Sequence, residues 1–180
     1  ALALIYPLSI LAAKPIALVI GPRYIRYMKS GDFISAKNIL FFSCGGLLFI
    51  TVSIASVISG NAQEVIEFIL GGGEFDASVA SVTGGLLKLA IWGLPAEAIS
   101  RVLLVPLLND GRIHAVSVIY STRYIMQMGL SYALFNWIGR NGLIWSYVVA
   151  VGLQLLFEAG YLSYIMGQKA PKPSWSDLGI

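Results

Sequence analysis

The chain has 180 residues, 57% of them apolar and only 12% charged, with a mean hydropathy of +0.79. Soluble domains carry about a quarter charged residues, so this composition cannot solvate a globular surface and marks an integral membrane protein. It excludes a secreted disulfide scaffold, a nucleic-acid module and a disordered tail, and the formal charge of +3 reflects loop topology.

Five apolar blocks follow, each near or above the roughly 20 residues with which a helix crosses about 30 Å of hydrocarbon. The first, Ala1 to Gly21, holds one charge, Lys14, with Pro7 and Pro15 as expected kinks. Pro22 to Asn38 then reads as a basic interfacial helix interrupted at Gly31, suited to anionic headgroups. The second block, Ile39 to Gly60, is free of charge and contains Cys44, read as a small packing residue. In the acidic connection that follows, Asp76 suits a helix N-cap and Phe75 the interface. Gly71 to Gly73 match neither GxGxxG nor a GK[ST] phosphate loop. The third block, Gly84 to Leu108, carries Lys88, Glu97 and Arg101, and the fourth, Ile113 to Ile138, carries Arg123. The fifth, Leu143 to Gly167, carries Gln154 and Glu158 and leads into a polar tail, 168–180. Such lengths suit helices, and lipid-exposed sheet edges are not tolerated in hydrocarbon. The expected fold is all-α, an integral membrane protein with five transmembrane helices.

The connections set an orientation. Arg23, Arg26, Lys29 and Lys37 crowd the first connection, while the second has acids and no base. By the positive-inside rule the first is cytoplasmic and the second external. Alternation places Arg112, Lys169 and Lys172 inside and leaves Arg140 outside. The chain opens ALALIYPLSI, without a basic n-region or a small-residue cleavage site, so no signal peptide is read there. Five crossings enclose little of a pathway, and the chain is expected to pack with the remaining helices of a larger bundle. With His114 and Cys44 the only residues of their kinds, no disulfide, metal cluster or cofactor is expected.

Four bases (Lys14, Lys88, Arg101, Arg123) and two acids (Glu97, Glu158) fall inside the blocks. Each costs about 3 kcal/mol at a helix centre, so such groups face a protein interior or a watery cavity. Glu97 and Arg101 are four apart and can pair. Ser117, Tyr120, Arg123, Gln127 and Ser131 draw a polar stripe along the fourth block, and Gln154, Glu158 and Tyr161 another along the fifth. The cationic excess favours an anionic ligand. The candidate cavity residues are therefore Lys14, Lys88, Glu97, Arg101, Arg123, Gln127, Gln154 and Glu158. Structural readings stand beside this one: Lys14 and Lys88 can snorkel to the interface, Glu97 with Arg101 can be a buried structural pair, Glu158 can neutralise Arg123 or Arg101, and the hydroxyl stripe can be helix-packing glue.

The succession PRYIRYMKSGDF, a charge-free helix, VIEFILGGGEFD and GLLKLAIWGLPAEAISRVLLVPLLNDGR resembles the MurJ (MviN) lipid II flippases of the multidrug/oligosaccharidyl-lipid/polysaccharide (MOP) exporter superfamily. The resemblance covers residues 1–175, in the second half of such a protein. It implies a MOP-type helical bundle of two lobes. Such a bundle moves an undecaprenyl-pyrophosphate-linked sugar, lipid II, across the bacterial inner membrane by alternating access. Arg101, before Val102 and Leu103, matches a position where the family carries a base; Lys88 and Arg123 have no assigned counterpart. An Asp-Arg pair of the family falls near Ala1 and Leu2, which are apolar here. This leaves open an O-antigen or exopolysaccharide-lipid flippase, or a non-transporting scaffold. A polyprenyl-phosphate enzyme is disfavoured, because the acids are scattered, with no DxxD or HxxxD pair at a loop.

Overall fold

The computed structural model describes residues 2–70 and 77–169. The expected Asp76 cap and Phe75 anchor, and the tail with Lys172, lie outside them. All secondary structure among the described residues is helical: α1 (Leu2–Lys29), α2 (Phe33–Gly60), α3 (Ala62–Leu70), α4 (Ala77–Ala90), a 3-10 turn (Ile91–Gly93), α5 (Leu94–Asn109), α6 (Ile113–Ile138) and α7 (Arg140–Lys169).

Four spans are long and apolar enough to cross a membrane: Leu4–Lys29, Phe33–Gly60, Val79–Asn109 and Arg140–Gln168. The fourth block forms α6 at the expected boundaries, but this helix is not among those four. Other helices overrun their blocks, because an apolar stretch marks the part suited to hydrocarbon whereas backbone hydrogen bonding continues past it. The basic segment Pro22 to Asn38 is accordingly not a separate interfacial helix. α1 runs through Pro22 to Lys29, with Tyr24 buried in the core, and α2 starts two residues after Gly31. Gly31 sits at φ 76°, the left-handed conformation that ends a helix with least strain. Its Asp32 neighbour caps α2, Oδ1 accepting from the Ser35 N–H at 3.0 Å. The second connection contains a helix of its own, α3, laid against α4 through buried Ile66, Ala80 and Leu87.

Polarity is distributed inside out. Phe41, Phe42, Phe49, Ile125, Met128, Tyr132 and Trp137 are exposed on the outer surface, while Glu97, Arg123, Gln154 and Glu158 are buried. Water would reverse this order; a lipid solvent supports it. Inside, one apolar cluster joins α1, α2, α5 and α7 around Leu40, Leu47, Val102 and Leu162. A second, around Ile5, Ile91, Leu94 and Val151, occupies the other end. Ala13, Ala36, Ala55, Ala90, Ala98 and Ala150 are buried at helix contacts, where small side chains let backbones approach closely.

Candidate functional site

Between the two apolar clusters lies a polar layer built by α1, α5, α6 and α7. Glu97 and Arg101 project from one face of α5 and pair at 3.2 Å, as their spacing predicts. The other carboxylate oxygen of Glu97 lies 2.9 Å from Arg123 Nη2 on α6. One carboxylate therefore serves two guanidiniums. Arg101 Nε also donates to Ser9 Oγ of α1 at 3.0 Å, and its guanidinium stacks 4.5 Å over the Tyr6 ring.

Arg123 continues the layer into α7. Its Nη1 donates to Gln154 Oε1 at 2.8 Å, and Gln154 Nε2 donates to Ser100 Oγ at 2.9 Å and to Glu158 Oε1 at 2.7 Å. The Tyr124 and Tyr147 rings lie 5.5 and 5.8 Å from the Arg123 guanidinium. Glu97 is 7% exposed, Arg123 6%, and Gln154 and Glu158 1% each. At that depth an isolated charge is costly, and mutual pairing is what makes the layer tolerable. Arg123 Nε and Glu158 Oε2 are buried with no hydrogen-bond partner among the described residues, and Glu97 Oε2 meets Arg123 as an ion pair without a hydrogen bond, so the layer is not fully satisfied by its internal bonds.

Beside this layer a cavity of about 710 Å³ opens between α1, α5 and α6, lined by Lys14, Arg101, Ser117 and Tyr120 together with apolar residues. Among the described residues no acid lines it. A second, more apolar cavity of about 450 Å³ lies between α6 and α7, from His114 to Met126, with Arg123 and Gln154 in its wall.

The structure thus brings together Glu97, Arg101, Arg123, Gln154 and Glu158 of the expected residues, with Lys14 at the adjoining cavity. Gln127 is half-buried and takes no part in the network. Lys88 is separate: it is exposed and lines another cavity with Arg140 and Asn141. Nine residues separate Lys88 from Glu97, about a half-turn of helix phase at 3.6 residues per turn, which turns them to opposite sides. Glu158 forms no ion pair with either arginine at contact distance and is joined to Arg123 through Gln154. The polar contacts from α1 (Ser9, Tyr6) and from Ser100 carry no charge, and the sequence reading missed them. Ser100, three residues after Glu97, was detectable from its helical spacing. In the predicted hydroxyl stripe Ser131 meets Ser146 at 2.6 Å, a contact between α6 and α7.

No protein family, curated protein or solved structure matches this chain.

Proposed function

We propose that the protein translocates an anionic, pyrophosphate-linked lipid, with Lys14 and Arg101 receiving the headgroup. The observation that carries this reading is the cavity lined by two cations, Lys14 and Arg101, with Ser117 and Tyr120 and, among the described residues, no acid. Phosphate oxygens accept hydrogen bonds and carry charge, so a wall of donors suits them and disfavours cations. Charge-balanced Glu97 and Arg123 behind Arg101 hold its guanidinium in place while leaving it 23% exposed. Transport needs a ligand bound differently in inward- and outward-facing states, and pairs such as Arg101–Glu97 are suited to exchanging partners between them.

In this reading α6 is a fifth crossing. Its 26 residues span about 39 Å at 1.5 Å per residue, enough to return the chain between α5 and α7 in the alternating topology expected from the loop charges. Resemblance to the MurJ (MviN) family narrows the cargo to lipid II and the location to the bacterial inner membrane; apolar Ala1 and Leu2 keep an O-antigen or exopolysaccharide lipid as the alternative. The chain's partners are then its lipid substrate, bulk membrane lipids and further helices, and its role is that of a transporter without enzymatic chemistry.

The test is lipid-linked sugar export in cells that depend on the protein. Lys14→Gln/Arg101→Gln is expected to lower export at least tenfold with the protein still inserted, and wild-type export by that variant would remove the cavity from the mechanism.

A further inference from the structure

Lys88 is exposed on α4, one turn before the 3-10 turn at Ile91–Gly93. It lines a cavity of about 520 Å³ with Ser81 and Gly85 of its own helix and with Ile138, Arg140 and Asn141 of the α6–α7 hairpin. Two cations, an amide and a hydroxyl again converge, and no acid among the described residues lines the space.

The hairpin is held tightly in place. Gly139 turns the chain at φ 61°, its N–H donating to Phe135 O at 2.9 Å, and Gly142 N–H donates to Gly139 O at 2.9 Å. A Cβ on Gly142 would lie 2.3 Å from Leu134 O, so the start of α7 sits directly on the end of α6. Arg140 and Asn141 are therefore presented from a fixed turn. On the other wall, Ser59 Oγ of α2 donates to the Lys88 carbonyl at 3.4 Å, which ties that part of α4 to its neighbour.

Lys88 and Arg101 are thirteen residues apart along the α4–α5 segment, about 20 Å at 1.5 Å per residue. That is some two-thirds of a hydrocarbon core of about 30 Å. The positive-inside orientation puts Arg140 outside and the ends of α1 and α5 inside. The two donor-lined cavities consequently face opposite leaflets, with the polar layer of Glu97, Arg123, Gln154 and Glu158 near the level of Arg101.

We infer that Lys88, Arg140 and Asn141 form a second phosphate site, which holds the phosphate of a lipid headgroup in the outer leaflet. Its place as the station opposite the Lys14–Arg101 cavity rests on the translocation reading above. Lys88 supplies a point charge on a flexible stem, Arg140 a planar fork that can grip two phosphate oxygens, and Asn141 an amide donor. Gly85 leaves room for the headgroup on the α4 wall.

The test uses the protein in phosphatidylcholine nanodiscs, titrated with a radiolabelled prenyl pyrophosphate. Wild type is expected to bind at two sites. Lys88→Gln/Arg140→Gln is expected to lose one of them, with affinity there falling roughly tenfold or more for each cation removed. Lys88→Arg/Arg140→Lys retains it, and unchanged thermal unfolding of both variants shows that the fold is intact. A wild-type isotherm for Lys88→Gln/Arg140→Gln overturns the proposal. So does displacement of the Lys88-dependent label by millimolar inorganic pyrophosphate, which would make the ligand a free anion and not a lipid. Lys14→Gln/Arg101→Gln separates the two readings: if that variant binds and exports like wild type while the Lys88 variant loses a site, the Lys14–Arg101 cavity drops out of the mechanism and the outer phosphate site stands.

Discussion

Glu97 balances two guanidiniums from two helices, which makes it the residue on which the buried layer depends most. Glu97→Gln keeps the shape and leaves Arg123 uncompensated at 6% exposure. Breaking a buried pair in this way costs about 3 kcal/mol or more, read as a lower thermal midpoint in detergent. Adding Arg123→Met removes the orphaned charge, so the double variant is expected to recover part of the loss; strictly additive losses would show that the pair does not couple. Asp32 gives a milder prediction at the α1–α2 turn. Hydrogen bonding from Ser35 holds its carboxyl below the usual carboxylate range. A lowered native value means that the cap contributes fully above the ordinary Asp range and fades as pH falls through the lowered value. The protection of the Ser35 amide, the slowing of its exchange relative to the intrinsic rate at each pH, should therefore fall on acidification in the wild type and stay constant in Asp32→Asn. The contact between Glu97 and Arg101 was legible because helical geometry makes i and i+4 neighbours. That between Glu97 and Arg123 was not, because 26 residues and a helix reversal separate them and only the packing of α6 against the bundle decides it. Helix phase also held the separation of Lys88 from this group, in its nine-residue offset from Glu97.

At the scale of elements, hydropathy located the helices and misplaced their ends. Apolar runs report which residues suit lipid, whereas helix ends are set by turn chemistry: Gly31 and Asp32 between α1 and α2, and Gly139 between α6 and α7. Both glycines were visible in the sequence, and the expected interruption at Gly31 is where the chain turns. What hydropathy could not show is that basic Arg23, Arg26 and Lys29 ride on a continuing α1 whose Tyr24 is packed into the core. The α6–α7 hairpin yields the sharpest element-level prediction. Gly142→Ala sets a methyl group against the Leu134 carbonyl and is expected to cost roughly 1–3 kcal/mol, as overpacking does. Gly45→Ala in α2 meets nothing within 4 Å and should match or exceed wild-type stability, since Ala is the better helix former. Equal thermal midpoints for the two variants would argue against the tight hairpin.

For the whole molecule, composition announced a membrane protein, and the inside-out placement of Arg123 and Glu158 against Phe41 and Trp137 agrees. How many helices cross is a separate question, because polar residues spaced along α6, Arg123 and Gln127 among them, keep it from being one of the four spans apolar enough to cross. Single cysteines on a Cys44→Ala background address this. Ser30→Cys and His114→Cys are expected to react with an impermeant maleimide from the cytoplasmic side, and Asn61→Cys and Asn141→Cys from the other. Labelling of His114→Cys and Asn141→Cys from one side would mean that α6 does not cross. A donor-lined path that carries an anionic lipid headgroup across the bilayer predicts transfer of a fluorescent prenyl-pyrophosphate-linked sugar between the leaflets of vesicles containing the purified protein. Transfer well above that of protein-free vesicles, lost in Lys14→Gln/Arg101→Gln, is the predicted result; transfer no faster than in protein-free vesicles would contradict it.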